Sequence, residues 1–536
     1  MSKKILFYNG EIITADKDNT VCEALLVEDD KIVYGGSTNK ARFLSKGEAE
    51  EINLCGCSVL PGFIDCHIHM AVAEAKSETQ VGVTQNDGVN TIADLLKKLE
   101  NVAKTKKIDE WIVGSGYNHE QLEEKRHITA EELDKAVPDN PVMLVHVSGH
   151  LSICNSKAFE LAEKSGLQLP SEHTARTTDG KLTGLVKETA HFMMLKNSPI
   201  LPCDEALVEG IQSFTQKLLK NGITSVHDAG GYGDTTFRTL QKARQSSALG
   251  CRTYTMLWTL FGKDAQKQNA KAMINSGFYT GFGDGMLKKG PLKIMVDGSA
   301  VGGTCATSTP IIGSNDVFSA TFEQKELDEI FIAAHKAGFQ LTAHAAGDKA
   351  IEMVLNSYEK AMSLYPRPNT RHRIEHCFLC TEEQIKRIKT LGVIPIPNPG
   401  FLSVWGGVFK KYYGNREECI IPLRSFEKMG IMTPFGSDAM VIDEYSPLLG
   451  LAAAMERRDI STGEQISPDQ TIDLMRAIKC YTAYGAYASF EENIKGSLEA
   501  GKLADLAILS DSIIGKTPDN IRKLKVCSTY LGGRKV

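Results

Sequence analysis

The 536-residue sequence has no apolar run long enough to cross a membrane, and its N-terminus lacks the apolar core of a secretory signal. We therefore expect a cytoplasmic location without membrane contact. The net charge is also small. A formal charge of −5 gives no electrostatic reason to expect nucleic acid as a partner. The 13 cysteines are an odd number without a repeated spacing, which argues against a disulfide framework and favours reduced thiols.

The composition is otherwise that of a globular protein, with 42% hydrophobic and 24% charged residues. A chain of this length can bury a large core and still form a second, smaller domain. No Gly-rich phosphate loop follows any of the strands predicted below, which argues against a nucleotide-binding fold.

Both ends of the chain carry short runs that are typical of β-strands. Near the N-terminus these runs are 4–8, 11–14, 24–28 and 31–35, separated by turn signals such as Asn9-Gly10. Near the C-terminus, residues 504–509 and 526–531 follow the same pattern. We therefore predict a small β-sandwich domain formed from both termini, residues 1–58 and 489–536.

The centre of the chain alternates apolar strands with helical patterns such as 323–337 and 382–390. Eight strands are predicted: 59–70, 225–228, 253–258, 292–297, 340–344, 372–376, 393–397 and 432–437. This α/β pattern favours a (β/α)8 TIM-like barrel over residues 59–488. A doubly wound open sheet also fits, because a strand count does not show closure.

The gap between the first two predicted strands is too long for a single helix. We interpret about 110–205 as an insertion with its own strand, 142–147, and helix, 155–165. An insertion after the first barrel strand would lie over the active face, as a lid or a wall of the substrate pocket.

Six side chains with metal-binding chemistry fall at or near the predicted strand ends. His67 and His69 alternate across one residue, so on a strand they point to the same side. His344, His376 and Asp438 each close a different strand, and Lys293 lies within another. Singly, a histidine pair is a weak signal, Asp438 could cap a turn and Lys293 could extend to solvent. Together, on strand ends that converge at one face of a barrel, they predict a two-metal site.

The motif around the histidine pair, PGFIDCHIH at 61–69, resembles the opening signature of the amidohydrolase superfamily. Further blocks match in the same order: KIMVDGS at 293–299, AHAAGD at 343–348, RIEHC at 373–377, GSDA at 436–439 and GSLEAGKLADL at 496–506. Within the superfamily, GH at 149–150, NSKA at 155–158 and GL at 184–185 are similar to the branch that includes N-substituted formamide deformylases (amidohydrolase family 3). The resemblance covers nearly the whole chain and is specific for fold and metal site, but only weakly specific for substrate.

The resemblance implies a role for each residue of the predicted site. His67, His69 and Asp438 would hold the more buried metal, and His344 and His376 the second. Lys293 would be carboxylated and bridge the two metals. The ligand set favours two Zn²⁺, with Fe, Mn, Co and Ni as alternatives.

The reaction that this resemblance implies is hydrolysis of an amide-type C–N bond other than a peptide bond, in an N-substituted amide or formamide. Metal-activated hydroxide would attack the carbonyl, and Asp438 would transfer the proton. Cyclic amidase or deaminase chemistry and a non-catalytic regulatory role are the alternatives. Deaminases of the superfamily usually use one metal and lack the bridging lysine, so Lys293 argues against them. We expect a small-molecule amide as partner and leave a homodimer open.

Three further residues are candidates for substrate contact. His150 belongs to one of the blocks that carry the resemblance. Asp297 lies four residues after Lys293 and so faces the same side of the strand, where a supporting role is also expected. Trp405 belongs to an aromatic group whose spacing is typical of a packed helix, and we consider the hypothesis that it walls an apolar pocket.

Overall fold

The computed structural model describes residues 2–72, 80–198, 202–260, 262–315, 317–439, 442 and 444–536. The strands are β1 Lys4–Ile13, β2 Val21–Glu28, β3 Lys31–Gly36, β4 Ala49–Asn53, β5 Ser58–Pro61, β6 Phe63–Ile68, β7 Gln80–Gly82, β8 Ile112–Tyr117, β9 Val142–His146, β10 Leu151–Cys154, β11 Thr174–Arg176, β12 Leu182–Lys187, β13 Ile223–Asp228, β14 Arg252–Leu257, β15 Leu287–Met295, β16 Leu341–Ala345, β17 Arg373–His376, β18 Ile394–Ile396, β19 Leu506–Leu509, β20 Val526–Leu531 and β21 Arg534–Lys535. The α-helices are α1 Thr38–Ser45, α2 Ile92–Ala103, α3 Ala130–Ala136, α4 Ser156–Lys164, α5 Glu188–Asn197, α6 Asp204–Lys220, α7 Asp234–Gln245, α8 Lys263–Asn275, α9 Gln324–Lys336, α10 Asp348–Leu364, α11 Glu382–Leu391, α12 Gly400–Tyr413, α13 Leu423–Lys428, α14 Pro447–Glu456, α15 Leu474–Cys480, α16 Ala483–Ala488 and α17 Pro518–Lys523. No helix in these ranges is long and apolar enough to span a membrane.

The central sheet is parallel, and its strands follow the order β18-β17-β16-β15-β14-β13-β6. Helices α7 to α11 alternate with these strands along the chain, as the sequence predicts. Parallel strands buried on both faces read as continuous apolar runs, which is why they could be predicted. Leu292, Ala343 and Ile374 of the sheet share one buried core with Phe331 of α9 and Val354 of α10.

The eighth predicted strand, 432–437, does not form a strand within the described chain. Pro434 has no N–H to donate to a ladder, yet the segment still lies between β6 and the end of β18. The Cys66 N–H donates to the Phe435 carbonyl (2.9 Å), Asp438 N–H to His67 carbonyl (2.7 Å) and Gly436 N–H to Pro397 carbonyl (3.2 Å). An irregular extended segment therefore closes the barrel, and the open doubly wound sheet is excluded.

The first predicted strand, 59–70, is wrong as a single element, because it divides at Gly62 into β5 and β6. A Cβ at Gly62 would lie 2.2 Å from Thr224 Oγ1, so the crossing between the two sheets requires glycine. β5 joins a sheet of eight strands ordered β21-β20-β19-β5-β1-β2-β3, with β4 on β1. Both ends of the chain thus build this sheet. Asn9-Gly10, predicted as a turn, is an irregularity inside β1, where Asn9 has a φ of 58°.

The segment between β6 and β13 forms a third sheet, ordered β11-β12-β10-β9-β8-β7. It begins at Gln80, before the predicted start of the insertion near 110, and includes strand β9 and helix α4 close to their predicted positions. One face of this sheet packs against α2 and α3 through Leu95 and Leu133. The other face shares a core with Trp258 and Met295 of the barrel, so the insertion covers the ends of β14 and β15.

Candidate metal centre

Strand β6 and the closing segment bring His67, His69 and Asp438 together. Asp438 Oδ1 lies 3.5 Å from His67 Nε2 and 3.4 Å from His69 Nε2. The backbone hydrogen bond from Asp438 N–H to the His67 carbonyl fixes this approach. His67 is fully buried and Asp438 is only 5% exposed, so their polar atoms are screened from solvent.

His376 and His344 lie beside this group at the ends of β17 and β16. The ring centroid of His376 is 4.7 Å from that of His67 and 4.4 Å from that of His344. Ligand atoms of His67, His376 and Asp438 all lie within 4.8 Å of one another. The structure therefore gathers the four predicted histidines and Asp438 into one cluster.

Each of the four histidines has one ring nitrogen held by an oxygen acceptor. His67 Nδ1 donates to Glu375 Oε2 (2.5 Å), His69 Nδ1 to the Gly230 carbonyl (2.9 Å), His376 Nδ1 to Asn398 Oδ1 (2.8 Å) and His344 Nε2 to the Gly298 carbonyl (3.0 Å). An oxygen acceptor fixes the proton on that nitrogen and leaves the other nitrogen with a free lone pair. This is the supporting arrangement of metal-binding histidines.

Two polar atoms inside the cluster have no hydrogen-bond partner within the described chain. They are His67 Nε2 and Asp438 Oδ1, both inaccessible to solvent. Burial lowers the pKa of His67 to about 3, so its ring is neutral. Burial raises the pKa of Asp438, but the neighbouring His67 and His69 outweigh that effect and hold it well below its usual value. A buried anion beside imidazoles with unused lone pairs fits a divalent cation.

Glu375 is a functional residue that the sequence analysis missed. Its carboxylate accepts from His67 Nδ1, from Thr342 Oγ1 and from the Arg373 guanidinium, all in the buried core. Burial raises the pKa of Glu375, but Arg373 and His67 lower it by more. The pKa is therefore below its usual value, and the carboxylate is ionised. Strand alternation would place Glu375 and His376 on opposite sides. His376 departs from this alternation because it ends β17 with a φ of 67°, which turns the backbone out of the strand conformation.

Lys293 lies within β15, is 2% exposed, and lines the same cavity as the cluster. Its Nζ is 4.4 Å from the ring centroid of Trp258 and lies over the face of the indole ring. Burial lowers the pKa of Lys293 to about 8, which makes a neutral amine accessible near neutral pH.

Asp297, predicted to face the same side as Lys293, is held by backbone groups. Its carboxylate accepts from the N–H groups of Ala306 (3.0 Å), Ala346 (3.0 Å) and Gly347 (2.8 Å). Burial raises the pKa of Asp297 to about 7. Asp297 therefore anchors the loop after His344, and it is not among the described residues that line the cavity.

The cavity at the cluster encloses about 270 Å³. Barrel residues His69, Lys293, His344, His376 and Asp438 line one side, and the insertion contributes His146, His150, His191, Phe192 and Leu195. Trp405 lies on α12 and packs in the hydrophobic core of the barrel domain. Phe401, one turn earlier on the same helix, lines the cavity. The packed-helix interpretation of the aromatic group is thus confirmed, and the described lining places the apolar wall at Phe401.

The fold and the residues of this site agree with the profile of a known family. Residues 50–536 match the model of the Amidohydrolase family. The chain belongs to this family. The cluster of four histidines and Asp438 lies within the matched range, and so do the insertion and the C-terminal strands of the terminal sheet.

Proteins with similar sequences cover nearly the whole chain. An N-substituted formamide deformylase of Arthrobacter pascens is 28% identical over 554 residues, 99% of this chain and 98% of the relative. The putative amidohydrolase YtcJ of Bacillus subtilis (strain 168) is 27% identical over 546 residues, 99% of each chain. The crystal structure of an uncharacterized metal-dependent hydrolase from Pyrococcus horikoshii OT3 superposes with a TM-score of 0.74 at 23% identity, over 96% of this chain and 99% of that one, which indicates a shared fold.

Proposed function

We propose that this member of the Amidohydrolase family hydrolyses an amide-type C–N bond of a small molecule, with an N-substituted formamide or a related amide as substrate. The observation that carries the proposal is the pair of buried, unpartnered atoms His67 Nε2 and Asp438 Oδ1 beside a cavity. The similarity to an N-substituted formamide deformylase supports the substrate class.

His67, His69, His344, His376 and Asp438 would hold one or two divalent ions, of which Zn²⁺ suits imidazole and carboxylate ligands best. When bound, such an ion supplies a water of lowered pKa and polarises the amide carbonyl. Asp438 takes the proton of the attacking water and delivers it to the departing nitrogen. The apolar side chains Phe192, Trp258 and Phe401 exclude bulk water from the reacting groups.

Lys293 completes the proposed site as a carbamate. A neutral lysine amine reacts with carbon dioxide, forming a new N–C bond and releasing one proton, and leaves an anion on the side chain. The burial of Lys293 favours the neutral amine that this reaction needs. The carbamate would supply a further oxygen donor for the metal centre.

The test is hydrolysis of N-alkyl and N-aryl formamides by zinc- and manganese-loaded wild-type protein and by the variants Lys293→Ala and Asp438→Asn. We expect both variants to lose at least about a hundredfold in kcat/KM, because Asp438→Asn removes the proton carrier and Lys293→Ala removes an oxygen donor of the metal centre. Asp179→Asn, an exposed change on the insertion, is the matched control. Full activity in both site variants would reject the mechanism.

A cyclic amide and an aminated heterocycle belong in the same panel, since cyclic amide opening and deamination are the competing reactions. Release of formate without ammonia from the formamides supports deformylation. Ammonia from the heterocycle alone would favour deamination instead.

A further inference from the structure

The insertion places a second charged pair against the metal centre. His150 Nδ1 lies 3.0 Å from Glu188 Oε2, and both side chains are largely buried. The His150 ring centroid is 5.4 Å from that of His344. His150 also lines the cavity that holds Lys293 and Asp438.

The backbone is built to hold this pair in place. The Glu188 N–H donates to the His150 carbonyl at 2.8 Å, where β10 and β12 end their antiparallel pairing. Glu188 has a φ of 41°, in the left-handed region that few non-glycine residues adopt. A Cβ at Gly298 would lie 2.4 Å from Glu188 Oε1, so the barrel loop makes room for this carboxylate.

The chemistry of the pair leaves one nitrogen for a ligand. Glu188, as a carboxylate, can only accept, so His150 Nδ1 carries the proton in their hydrogen bond. Its Nε2 is then the nitrogen left for the cavity. This is the arrangement in which a carboxylate orients an imidazole toward a reacting group.

We propose that His150 is a catalytic residue supplied by the insertion, which acts as an imidazolium paired with the Glu188 carboxylate and hydrogen-bonds through its Nε2–H to the amide oxygen of the substrate. Glu188 is its positioning residue. This inference rests on the proposed amide hydrolysis at the same site. The hydrogen bond strengthens as the amide oxygen gains negative charge, so it stabilises the transition state more than the bound substrate.

The experiment measures turnover and ligand binding on the same proteins. Zinc-loaded wild type, His150→Ala, His150→Gln, Glu188→Ala and Glu188→Gln are compared in kcat and KM on the formamide found best for wild type. Binding of benzohydroxamic acid is measured by calorimetry, and zinc content by elemental analysis. His173→Ala, on the insertion but outside the described cavity lining, is the matched control.

We expect His150→Ala to keep its zinc, lose about a hundredfold to a thousandfold in kcat, and bind benzohydroxamic acid at least tenfold more weakly. His150→Gln retains an N–H donor and should recover part of both losses. Glu188→Gln, which can still accept from Nδ1, should be more active than Glu188→Ala. A loss of kcat and of hydroxamate affinity at unchanged zinc content separates this positioning role from a need for Glu188 in folding alone.

Unchanged kcat and unchanged hydroxamate affinity in His150→Ala would overturn the inference while leaving amide hydrolysis intact. Loss of zinc in that variant would also overturn it, since His150 would then act on the metal. If wild type binds the hydroxamate but hydrolyses no amide, the proposed function fails. The difference in hydroxamate affinity between wild type and His150→Ala then decides the role of His150. If wild type neither binds nor hydrolyses, both proposals are wrong.

Discussion

At the scale of single residues, Glu375 controls which nitrogen of His67 is available to a metal. Glu375→Gln removes the negative charge that His67 Nδ1 and Arg373 share. We expect zinc affinity to fall about 10- to 100-fold, the usual cost of losing the partner of a metal-binding histidine. Competition with a chelating dye measures this affinity. Glu383→Gln on α11, where the side chain is 80% exposed, is the control, and wild-type affinity in Glu375→Gln would contradict the prediction.

The residues of the site were predictable from the sequence, but their partners were not. His67, His69, His344, His376 and Asp438 stand at strand ends, and the parallel order of the strands brings such ends together. Glu375, Asn398 and the carbonyls of Gly230 and Gly298 act through contacts between distant segments. Nothing in the local pattern of one strand indicates those contacts.

At the scale of elements, the barrel depends on an irregular closing segment. A Cβ at Gly436 would lie 2.4 Å from the His67 Cβ and 2.7 Å from the His67 N. Gly436→Ala should therefore push the segment away from β6, destabilise the fold by about 1–3 kcal/mol, and move Asp438 from the histidines. Thermal unfolding and zinc content measure the two effects.

Gly414→Ala is the control for that substitution. A Cβ at Gly414 would meet its nearest neighbour, Lys410 Cγ, at an ordinary 3.6 Å. Equal melting temperatures and zinc contents for Gly436→Ala and Gly414→Ala would refute the role of the closing segment.

Six barrel strands and the helices predicted at 155–165, 323–337 and 382–390 followed from hydrophobic patterns. The two exceptions have physical causes outside those patterns. The segment 432–437 is apolar enough for a strand, but Pro434 interrupts its ladder. Residues 59–70 are largely apolar, yet Gly62 lets the chain pass from one sheet to another. Packing against Thr224 requires glycine at this break, and the dipeptide Pro61-Gly62 is its local signal.

The insertion carries a buried histidine group that should make it sensitive to acid. His119 and His127 stack with ring centroids 3.8 Å apart, and His146 is 5.4 Å from His119. Burial lowers the pKa of His127 to about 3 and also lowers those of His119 and His146. An unfolded histidine takes up its proton near pH 6.5, so the unfolded chain binds more protons below that pH. Stability is therefore full above pH 6.5 and decreases as the pH falls toward 3.

At pH 5 one such shift costs about 2 kcal/mol. We expect amide hydrogen exchange in β8 and β9 to accelerate between pH 7 and pH 5 beyond the change in the intrinsic exchange rate. His127→Phe keeps a stacked ring but removes one titrating group, so it should reduce this acceleration. Equal protection of both strands at the two pH values would contradict the prediction.

At the scale of the whole molecule, Asp505 links the terminal sheet to the barrel. Its carboxylate accepts from Arg252 at the start of β14 (2.7 and 3.1 Å) and from the Gly532 N–H (2.7 Å). Its carbonyl accepts from the Gly62 N–H at 2.8 Å, at the crossing between the two sheets. The two sheets are therefore expected to unfold as one cooperative unit.

Asp505→Asn leaves the Arg252 guanidinium without its counter-charge in a site where the side chains are 12% and 5% exposed. Breaking a buried ion pair by removing one partner costs about 3–5 kcal/mol, so we expect a lower Tm in calorimetry but still a single transition. Asp511→Asn removes an ion pair to Lys516 whose aspartate is 62% exposed, and exposed pairs contribute only about 0–1 kcal/mol. A second, separate transition in Asp505→Asn would mean that the terminal sheet and the barrel fold independently. An unchanged Tm would contradict the prediction, since it would mean that Arg252 is paired with water or with another acceptor in the variant.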